Sequence, residues 1–264
     1  MRILIYVGPA PSRELVLQIC KPIVRQVATS LTLVTSACPS ERELLYDAQR
    51  RLAPPAGMEV AQRALAETAQ AAILAASREH AYDLVIFGRL QSTASRLMPE
   101  SQSKATAQRL EPAVLRVHGS ARPLRRVLVA SGGDDHTFED IAIAARLARP
   151  LGASVTLLHV MSPHSQLVSS FPQLFADALE EARTSEARVI RDAAQWLSSQ
   201  GVPTQVKGRV GLVIDEIMAE LRVGSYDLLV IGAHRAVSAL DQIMLEDVTG
   251  DLLDISPLPV LLVK

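Results

Sequence analysis

Short apolar runs recur along the chain, and one of them occurs twice almost unchanged. Tyr82–Gly88 has the sequence Tyr-Asp-Leu-Val-Ile-Phe-Gly, and Tyr226–Gly232 has the sequence Tyr-Asp-Leu-Leu-Val-Ile-Gly. A continuous apolar run of this length is typical of a strand buried on both faces of a parallel sheet. Ligands of open parallel sheets bind beyond the carboxyl ends of the strands. We therefore expect candidate binding residues just after Gly88 and Gly232.

Strand patterns alternate with helical patterns in both halves of the chain. The apolar runs predict strands at 2–7, 30–36, 58–63, 83–87, 113–117, 126–130, 154–160, 204–208, 227–231 and 259–263. Apolar spacing of three and four residues predicts helices at 12–27, 67–79, 103–110, 137–149, 173–199, 212–222 and 247–254. No regular element is assigned to 38–55. The alternation predicts an α/β fold with parallel sheets and right-handed crossovers.

The two halves repeat one another at a fixed spacing. At an offset of 124 residues, the matching segments are Arg2–Ile5 with Arg126–Val129 and Ser30–Val34 with Ser154–Leu158. The two Tyr-Asp runs are 144 residues apart, so the second half carries about 20 more residues, between His159 and Trp196. We interpret the chain as two copies of one domain, 1–121 and 125–264.

Composition narrows the possible partners and compartments. The 264 residues include 27 basic and 28 acidic side chains, which gives no electrostatic reason to expect nucleic acid or an anionic membrane as a partner. Cys20 and Cys38 have no metal-ligand spacing, and such sparse cysteine use fits a reducing compartment. No signal peptide or membrane-length apolar stretch occurs. We expect a cytoplasmic protein that does not contact membranes.

The second copy resembles the universal stress protein family. The resemblance rests on Arg126–Ala130, on Gly152–Val160 with its sequence Gly-Ala-Ser-Val-Thr-Leu-Leu-His-Val, on Tyr226–Gly232 and on Pro257–Val263. The first copy resembles the family more distantly. The resemblance implies two tandem doubly wound domains of the adenine nucleotide alpha hydrolase-like type. Each would be a five-stranded parallel sheet with helices on both faces, and the two copies would pack as an intramolecular pseudo-dimer.

Some members of this family bind ATP or another adenine nucleotide. Their motif is a glycine after the fourth strand, a second glycine three residues on, and Gly-Ser or Gly-Thr ten residues further. The first glycine is kept here as Gly88 and Gly232. The later positions are changed, to Gln91, Ser101 and Gln102 in the first copy and to Arg235, Leu245 and Glu246 in the second. The motif is therefore degenerate in both copies.

The resemblance and the polar residues near these loops give a set of candidate nucleotide-binding residues. Glycine turns and hydroxyl groups can receive a phosphate, and a nearby cation can balance its charge. The set is Gly8, Gly88, Arg89, Ser101 and Ser103 in the first copy and Gly132, Gly133, Gly232, His234 and Arg235 in the second.

A structural interpretation of the same residues stays open. The loops after Gly88 and Gly232 can be ordinary polar loops, and the turn at Gly132 can serve only the helix that follows, capped by Asp135 or Thr137. Glu246 and Asp247 would repel a triphosphate. The second copy is therefore the less favourable nucleotide site.

Catalysis has little support in the sequence. His159 lies inside a predicted strand and Cys20 on the apolar face of a predicted helix, so we expect both to be packed in the core. No G-x-S-x-G elbow, G-x-G-x-x-G or phosphate-binding P-loop occurs. We predict that the protein is not an enzyme and that it holds no metal.

Two functional hypotheses follow from the resemblance. The first is a non-catalytic stress-response protein with degenerate nucleotide loops, acting through a protein partner or through self-association. The apolar stretch Met161–Phe175 is the candidate partner surface. The alternative is a stress protein whose cofactor, ATP or another adenine nucleotide, switches the pseudo-dimer. A third hypothesis is an enzyme of a related nucleotide-binding α/β group that forms or splits an adenylate, and the missing motifs argue against it.

Overall fold

The computed structural model describes seven parts of the chain. They are residues 1–66, 68–90, 102–120, 122–133, 136–161, 185–232 and 248–264. Contacts divide the chain into two units. The first unit is Met1–Pro123 with Pro257–Leu262 and Lys264, and the second unit is Leu124–Ser256 with Val263. The sequence-based boundaries at 121 and 125 remain predictions.

The first unit is built on a parallel sheet. Its strands are β1 (Arg2–Tyr6), β2 (Ser30–Thr35), β3 (Glu59–Ala64), β4 (Leu84–Phe87) and β5 (Ala113–Arg116). Its helices are α1 (Ser12–Gln26), α2 (Glu41–Leu52), α3 (Ala69–Ser77) and α4 (Gln102–Arg109). The strands lie in the order β3-β2-β1-β4-β5, and all four pairings are parallel.

The second unit repeats this plan. Its strands are β6 (Arg126–Ser131), β7 (Ser154–Met161), β8 (Thr204–Val210) and β9 (Leu228–Gly232). Its helices are α5 (Thr137–Leu151), α6 (Ser185–Ser199) and α7 (Val213–Val223), and residues 248–255 are also helical. The strands lie in the order β9-β6-β7-β8 and pair in parallel.

The last strand of the chain, β10 (Val260–Val263), pairs antiparallel with β5. Val260 lies opposite Arg116, and Leu262 lies opposite Val114. The sequence predicted this strand as the closing strand of the second copy. By its contacts, most of it groups with the first unit.

The predicted α/β class is confirmed, and the strand and helix boundaries agree to within two residues where they are described. Part of the predicted helix at 173–199 is present as α6, and residues 173–184 lie outside the described residues. The sequence analysis missed α2. Its signal is the spacing of Leu45, Ala48 and Leu52, all of which are buried.

The central strands, β1 and β4 in the first unit and β6 and β9 in the second, supply much of the core. The side chains of β4 are fully buried, as are Ile3, Leu4 and Ile5 of β1, and the same holds for Leu228–Val230 of β9. Both faces of these strands are covered, so apolar residues occupy successive positions and do not alternate with polar ones. This is the physical origin of the apolar runs in the sequence.

The repeated aspartate of the Tyr-Asp runs anchors the fourth strand of each unit to the first. The Asp83 carboxylate accepts a hydrogen bond from the Arg2 backbone N–H at 2.7 Å, and the Asp83 N–H donates to the Arg2 carbonyl at 3.0 Å. The Asp227 carboxylate accepts from the backbone N–H groups of Arg125 at 3.0 Å and Arg126 at 2.9 Å. These bonds fix the register at the amino ends of the strands.

The repeated tyrosine has a similar anchoring role with different partners. The Tyr82 hydroxyl donates to Thr32 Oγ1 at 3.1 Å, which ties β4 to β2. The Tyr226 hydroxyl donates to Glu220 Oε1 at 2.7 Å and so ties the start of β9 to α7. The Tyr-Asp pair is therefore a structural element of both copies.

Glu220 is the centre of a buried ionic network in the second unit. Its carboxylate accepts hydrogen bonds from Lys207 Nζ at 2.7 Å and Arg209 Nε at 3.0 Å, in addition to Tyr226. Burial alone would raise the pKa of Glu220, but the hydrogen bonds from Lys207, Tyr226 and Arg209 outweigh burial and hold the pKa below its ordinary value. The network joins α7 to β8.

No helix among the described residues is both long enough and apolar enough to span a bilayer.

We expect Asp227→Ala to lower the free energy of unfolding by about 1 to 2 kcal/mol, because two backbone N–H groups lose a charged acceptor. Urea unfolding at neutral pH measures this change. Asp192→Ala, at an exposed aspartate on α6, is the matched control and should shift stability by less than about 0.5 kcal/mol. Equal effects of the two variants would contradict the anchoring role.

We expect Glu220→Gln to destabilise the protein by about 2 to 4 kcal/mol at pH 7, because two cationic side chains lose their buried partner. The pKa of Glu220 is lowered in the folded state. Its stabilising effect is therefore present above the pKa of the unfolded chain and is lost as pH falls through the lower, folded-state pKa. Urea titrations from neutral to acidic pH should show a weaker loss of stability in Glu220→Gln than in the unmodified protein. Parallel curves would exclude Glu220 as a source of the acid sensitivity.

Candidate functional site

A cleft opens at the carboxyl ends of β6 and β9 in the second unit. The chain leaves β6 towards β7 and β8 on one side and returns to β9 on the other. Connections that leave neighbouring strands in opposite directions create a crevice, which is the usual ligand position in such sheets. The cleft has a volume of about 160 Å³.

The walls of the cleft are mostly apolar. They come from the strand ends, from α7 and from the helical residues 248–255. The apolar side chains are Ala130, Leu158, Val160, Val213, Ile217, Ile231, Val248 and Leu252. The polar side chains are Ser131, Asp140 and Thr249, and the backbones of Gly132 and Gly232 complete the lining. Two of the candidate glycines thus lie at one site.

The turn after β6 is held by hydrogen bonds within the protein. Ser131 Oγ lies 2.7 Å from Thr137 Oγ1 and accepts the Gly133 N–H at 3.2 Å. Gly133 has φ of 73°, and a Cβ on it would come within 2.8 Å of the Glu186 Cβ. Gly133 is therefore needed for a left-handed turn packed closely against α6.

His159 is a packed histidine, as predicted. It is buried in β7, and its Nδ1 lies 3.1 Å from the Ser131 carbonyl oxygen, to which it donates.

The predicted helix cap is wrong for Thr137. The N-cap of α5 is His136, whose side chain makes no capping hydrogen bond, and Thr137 is the first helical residue. The Thr137 hydroxyl instead packs against Ser131, because this pairing satisfies two buried hydroxyl groups at once. Asp135, the other predicted cap, lies outside the described residues.

Asp140 is one of the polar lining residues that the sequence analysis missed, together with Ser131 and Thr249. It projects from α5 and is only 3% exposed, and no lysine, arginine or histidine is among the described residues that line the cleft. A signal was available in the sequence. At the 124-residue offset Asp140 corresponds to Val16, so an acidic residue occupies a position that is apolar in the other copy.

In the first unit, serine hydroxyl groups accept hydrogen bonds from the backbone N–H groups that follow β4. The Arg89 N–H donates to Ser12 Oγ at 3.0 Å, and the Leu90 N–H donates to Ser103 Oγ at 3.1 Å. These N–H groups directly follow Gly88, the first glycine of the nucleotide motif that the resemblance implies. Each of them is already paired with a hydroxyl oxygen from within the unit.

The backbone at Gly88 is also closely covered. A Cβ on Gly88 would overlap Ser12 Oγ and would come within 3.0 Å of Val16 Cγ2. Gly8, at the end of β1, is buried, and a Cβ on it would meet the Tyr6 ring at 3.0 Å. The glycines of the first unit therefore allow close packing within the unit.

The remaining candidates are distributed as follows. Arg89 is exposed, and Ser103 is fully buried on α4. Ser101, His234 and Arg235 lie outside the described residues, as do Leu245, Glu246 and Asp247. The candidate set, and the preference for the first copy over the second, remain predictions.

Cys20 is confirmed as a core residue. It is fully buried in α1, and burial raises the pKa of its thiol far above the ordinary value, which disfavours the nucleophilic thiolate. Among the residues that the structure describes, no group of three or more His, Cys, Asp or Glu side chains is placed to hold a metal ion.

The described residues define an α/β protein with a cleft at a topological switch point, and comparison with known proteins specifies the family. The sequence model of the universal stress protein family matches residues 123–264, more than half of the chain. The chain therefore belongs to the universal stress protein family. It is 26% identical over 146 residues to "Universal stress protein YxiE" of Bacillus subtilis (strain 168), and the match covers 53% of this chain and 98% of that relative.

Solved structures show the same fold over nearly the whole chain. A universal stress protein from Archaeoglobus fulgidus aligns with a TM-score of 0.68 at 15% identity, over 99% of this chain and 96% of its own. A putative universal stress protein from Pseudomonas aeruginosa aligns with a TM-score of 0.68 at 19% identity, over 100% of this chain and 92% of its own.

We expect Gly88→Ala to lower stability by about 1 to 3 kcal/mol, because the new methyl group displaces the Ser12 hydroxyl from the Arg89 N–H. Ser12→Ala in the same chain should remove part of this penalty, since the overlap with Oγ is gone. A double-mutant cycle by urea unfolding measures the coupling, expected at about 1 kcal/mol. Additive effects would contradict the contact.

Proposed function

We propose that the protein is a non-catalytic stress-response protein that acts by binding a protein partner or by self-association. The observation that carries this proposal is the occupation of the Arg89 and Leu90 N–H groups by Ser12 and Ser103 in the first unit. A phosphate could use these donors only after displacing both hydroxyl groups. The first unit is thus poorly suited to bind a nucleotide.

The described residues of the second unit also offer little to a phosphate. Asp140 lines its cleft, and the described lining residues carry no cation. A carboxylate a few ångströms from a phosphate costs on the order of 1 to 4 kcal/mol per unit charge at the effective dielectric constants of protein surfaces. This arrangement supports the hypothesis that the nucleotide loops are degenerate.

A non-catalytic role fits the positions of the reactive side chains. Cys20 is buried in the core, and the Nδ1 of His159 is engaged by a backbone carbonyl. Neither side chain lines the cleft. Neither is therefore placed to act on a molecule bound there.

We further propose that the protein works in the cytoplasm and that its two copies form the pseudo-dimer implied by the family resemblance. The candidate partner surface, Met161–Phe175, lies outside the described residues except for Met161. Its apolar side chains Leu167, Val168 and Phe171 remain the first positions to change in a search for partners.

A second candidate function is supported by the position of the cleft. An adenine nucleotide would bind in the second unit, between Gly132 and Gly232, and would switch the assembly of the protein. The supporting observation is that both glycines line a cleft at the switch point, where ligands of doubly wound sheets bind.

An ATP titration distinguishes the two candidates. For the first, we expect no bound nucleotide by mass spectrometry of the denatured protein and no rise in melting temperature with millimolar ATP. Nucleotide binding would instead stabilise the folded state by about 2.7 kcal/mol at a hundred-fold excess over the dissociation constant. Ala130→Tyr, which introduces the residue of the first copy at that position, fills the cleft and is the control. A shift that is lost in Ala130→Tyr would replace the first candidate by the second.

A further inference from the structure

We propose that two copies of this chain associate through α7, with the two α7 helices packed antiparallel across a two-fold axis. The proposal rests on the self-association named in the proposed function, and it gives that association a surface and a partner, a second copy of the chain. Three features of α7 carry it: an exposed apolar strip, the residue at its N-cap, and two unpaired opposite charges.

The exposed apolar strip of α7 consists of Leu212, Ala219 and Val223. Leu212, directly before the helix, is 67% exposed, and Val223, its last residue, is 74% exposed. Ala219 lies between them and is partly exposed. Residues at positions i, i+7 and i+11 share one side of an α-helix. The side that packs on the sheet is a different one, marked by the buried Ile217 and Leu221.

Leu212 is an unusual residue for the N-cap position. N-cap residues are usually Ser, Thr, Asp or Asn, whose side chains accept a hydrogen bond from the first turn. At the 144-residue offset of the Tyr-Asp runs, the first unit has Thr68, which caps α3 by accepting the Ala71 N–H. Leu212 makes no capping hydrogen bond. The second unit therefore has an exposed leucine where its counterpart has a cap, and this leucine adds free energy only when another molecule covers it.

Two opposite charges lie beside the apolar strip. Asp215 and Arg222 are exposed, and neither is hydrogen-bonded or ion-paired to a described residue. They are seven residues apart, which separates them by about 10 Å along the helix axis and prevents a direct ion pair between them. Glu216, by contrast, is paired with Arg209. Asp215 and Arg222 are therefore available to a partner.

An antiparallel pair of α7 helices is complementary in charge. The midpoint between Asp215 and Arg222 lies about one residue from the midpoint between Leu212 and Val223. One two-fold axis therefore brings Asp215 of each copy to Arg222 of the other, and it also brings Leu212 to Val223. Ala219 lies near this axis, where its small side chain allows the two helices to approach closely. A parallel pair would instead place Asp215 beside Asp215.

The expected dimer is weak. Two helices of 11 residues bury less surface than the roughly 1,600 Å² of a standard interface, so we expect a dissociation constant on the order of 10 to 100 µM. Sedimentation equilibrium of the full chain, at about 1 to 300 µM, covers this range. The association should weaken as salt rises, because exposed ion pairs are screened.

Charge reversal on α7 tests the pairing. Asp215→Arg and Arg222→Asp each place like charges opposite one another, and each should raise the dissociation constant at least about tenfold. An equimolar mixture of the two variants pairs opposite charges again and should form a heterodimer. The double variant should dimerise like the unmodified chain. Asp192→Arg, at an exposed aspartate of α6, is the control and should leave association unchanged.

Leu212→Thr tests the apolar strip separately from folding. It introduces the residue that caps α3 in the first unit. We expect weaker association, because the apolar contact with Val223 of the second copy is lost. We also expect an unchanged or higher melting temperature of the monomer, because threonine can cap the helix. A purely structural role of Leu212 would give a lower melting temperature and unchanged association.

Three results would overturn the proposal, and they separate it from the proposed function. A chain that stays monomeric to about 300 µM would exclude the dimer and leave the proposed function with a different protein as its partner. A dimer that the charge reversals do not weaken would support self-association but exclude α7 as its surface. Single variants that dissociate and do not associate with each other would exclude the antiparallel pairing. The ATP titration decides the nucleotide candidate independently.

Discussion

The hydrogen bonds that the Asp227 carboxylate accepts from the backbone N–H groups of Arg125 and Arg126 are the constraint on which the second unit depends. They set the register of β9 against β6 at the amino ends. Because parallel strands have a fixed rise per residue, the same register decides where the carboxyl ends stop. Gly132 and Gly232 therefore meet at the cleft. Hydrogen bonds at the amino ends of the strands thus position the candidate site at the carboxyl ends.

The two units share one framework and differ in their candidate sites. Asp83 and Asp227 make the same kind of bond, and the central strands are buried in both units. The two units differ in the residues at the carboxyl ends of their strands. Ser12 and Ser103 satisfy the backbone donors of the first unit, whereas the second unit keeps a cleft. The framework can be shared while the sites diverge, since packing at the strand centres does not depend on the loops that follow them.

Membership of the universal stress protein family accounts for the fold. The residues at the carboxyl ends of the strands in each unit bear on function. A family can conserve its sheet while individual members change the residues that contact ligands. Here the cleft of the second unit combines aliphatic walls with the buried side chain of Asp140. In the first unit, Ser12 and Ser103 pair with the backbone N–H groups after β4, so we expect the two units to differ in what they bind.

The sequence by itself determined the class of fold, the repeat and nearly all strand positions, because burial of a strand on both faces leaves an unbroken apolar run that is visible locally. It also indicated that Cys20 and His159 are packed. The tertiary structure alone decided that Ser12 and Ser103 occupy the Arg89 and Leu90 donors, that β10 pairs with β5, and that Asp140 lines a cleft. These contacts join residues that are distant in sequence. The apolar periodicity of a segment predicts its secondary structure but not which distant residues it will contact.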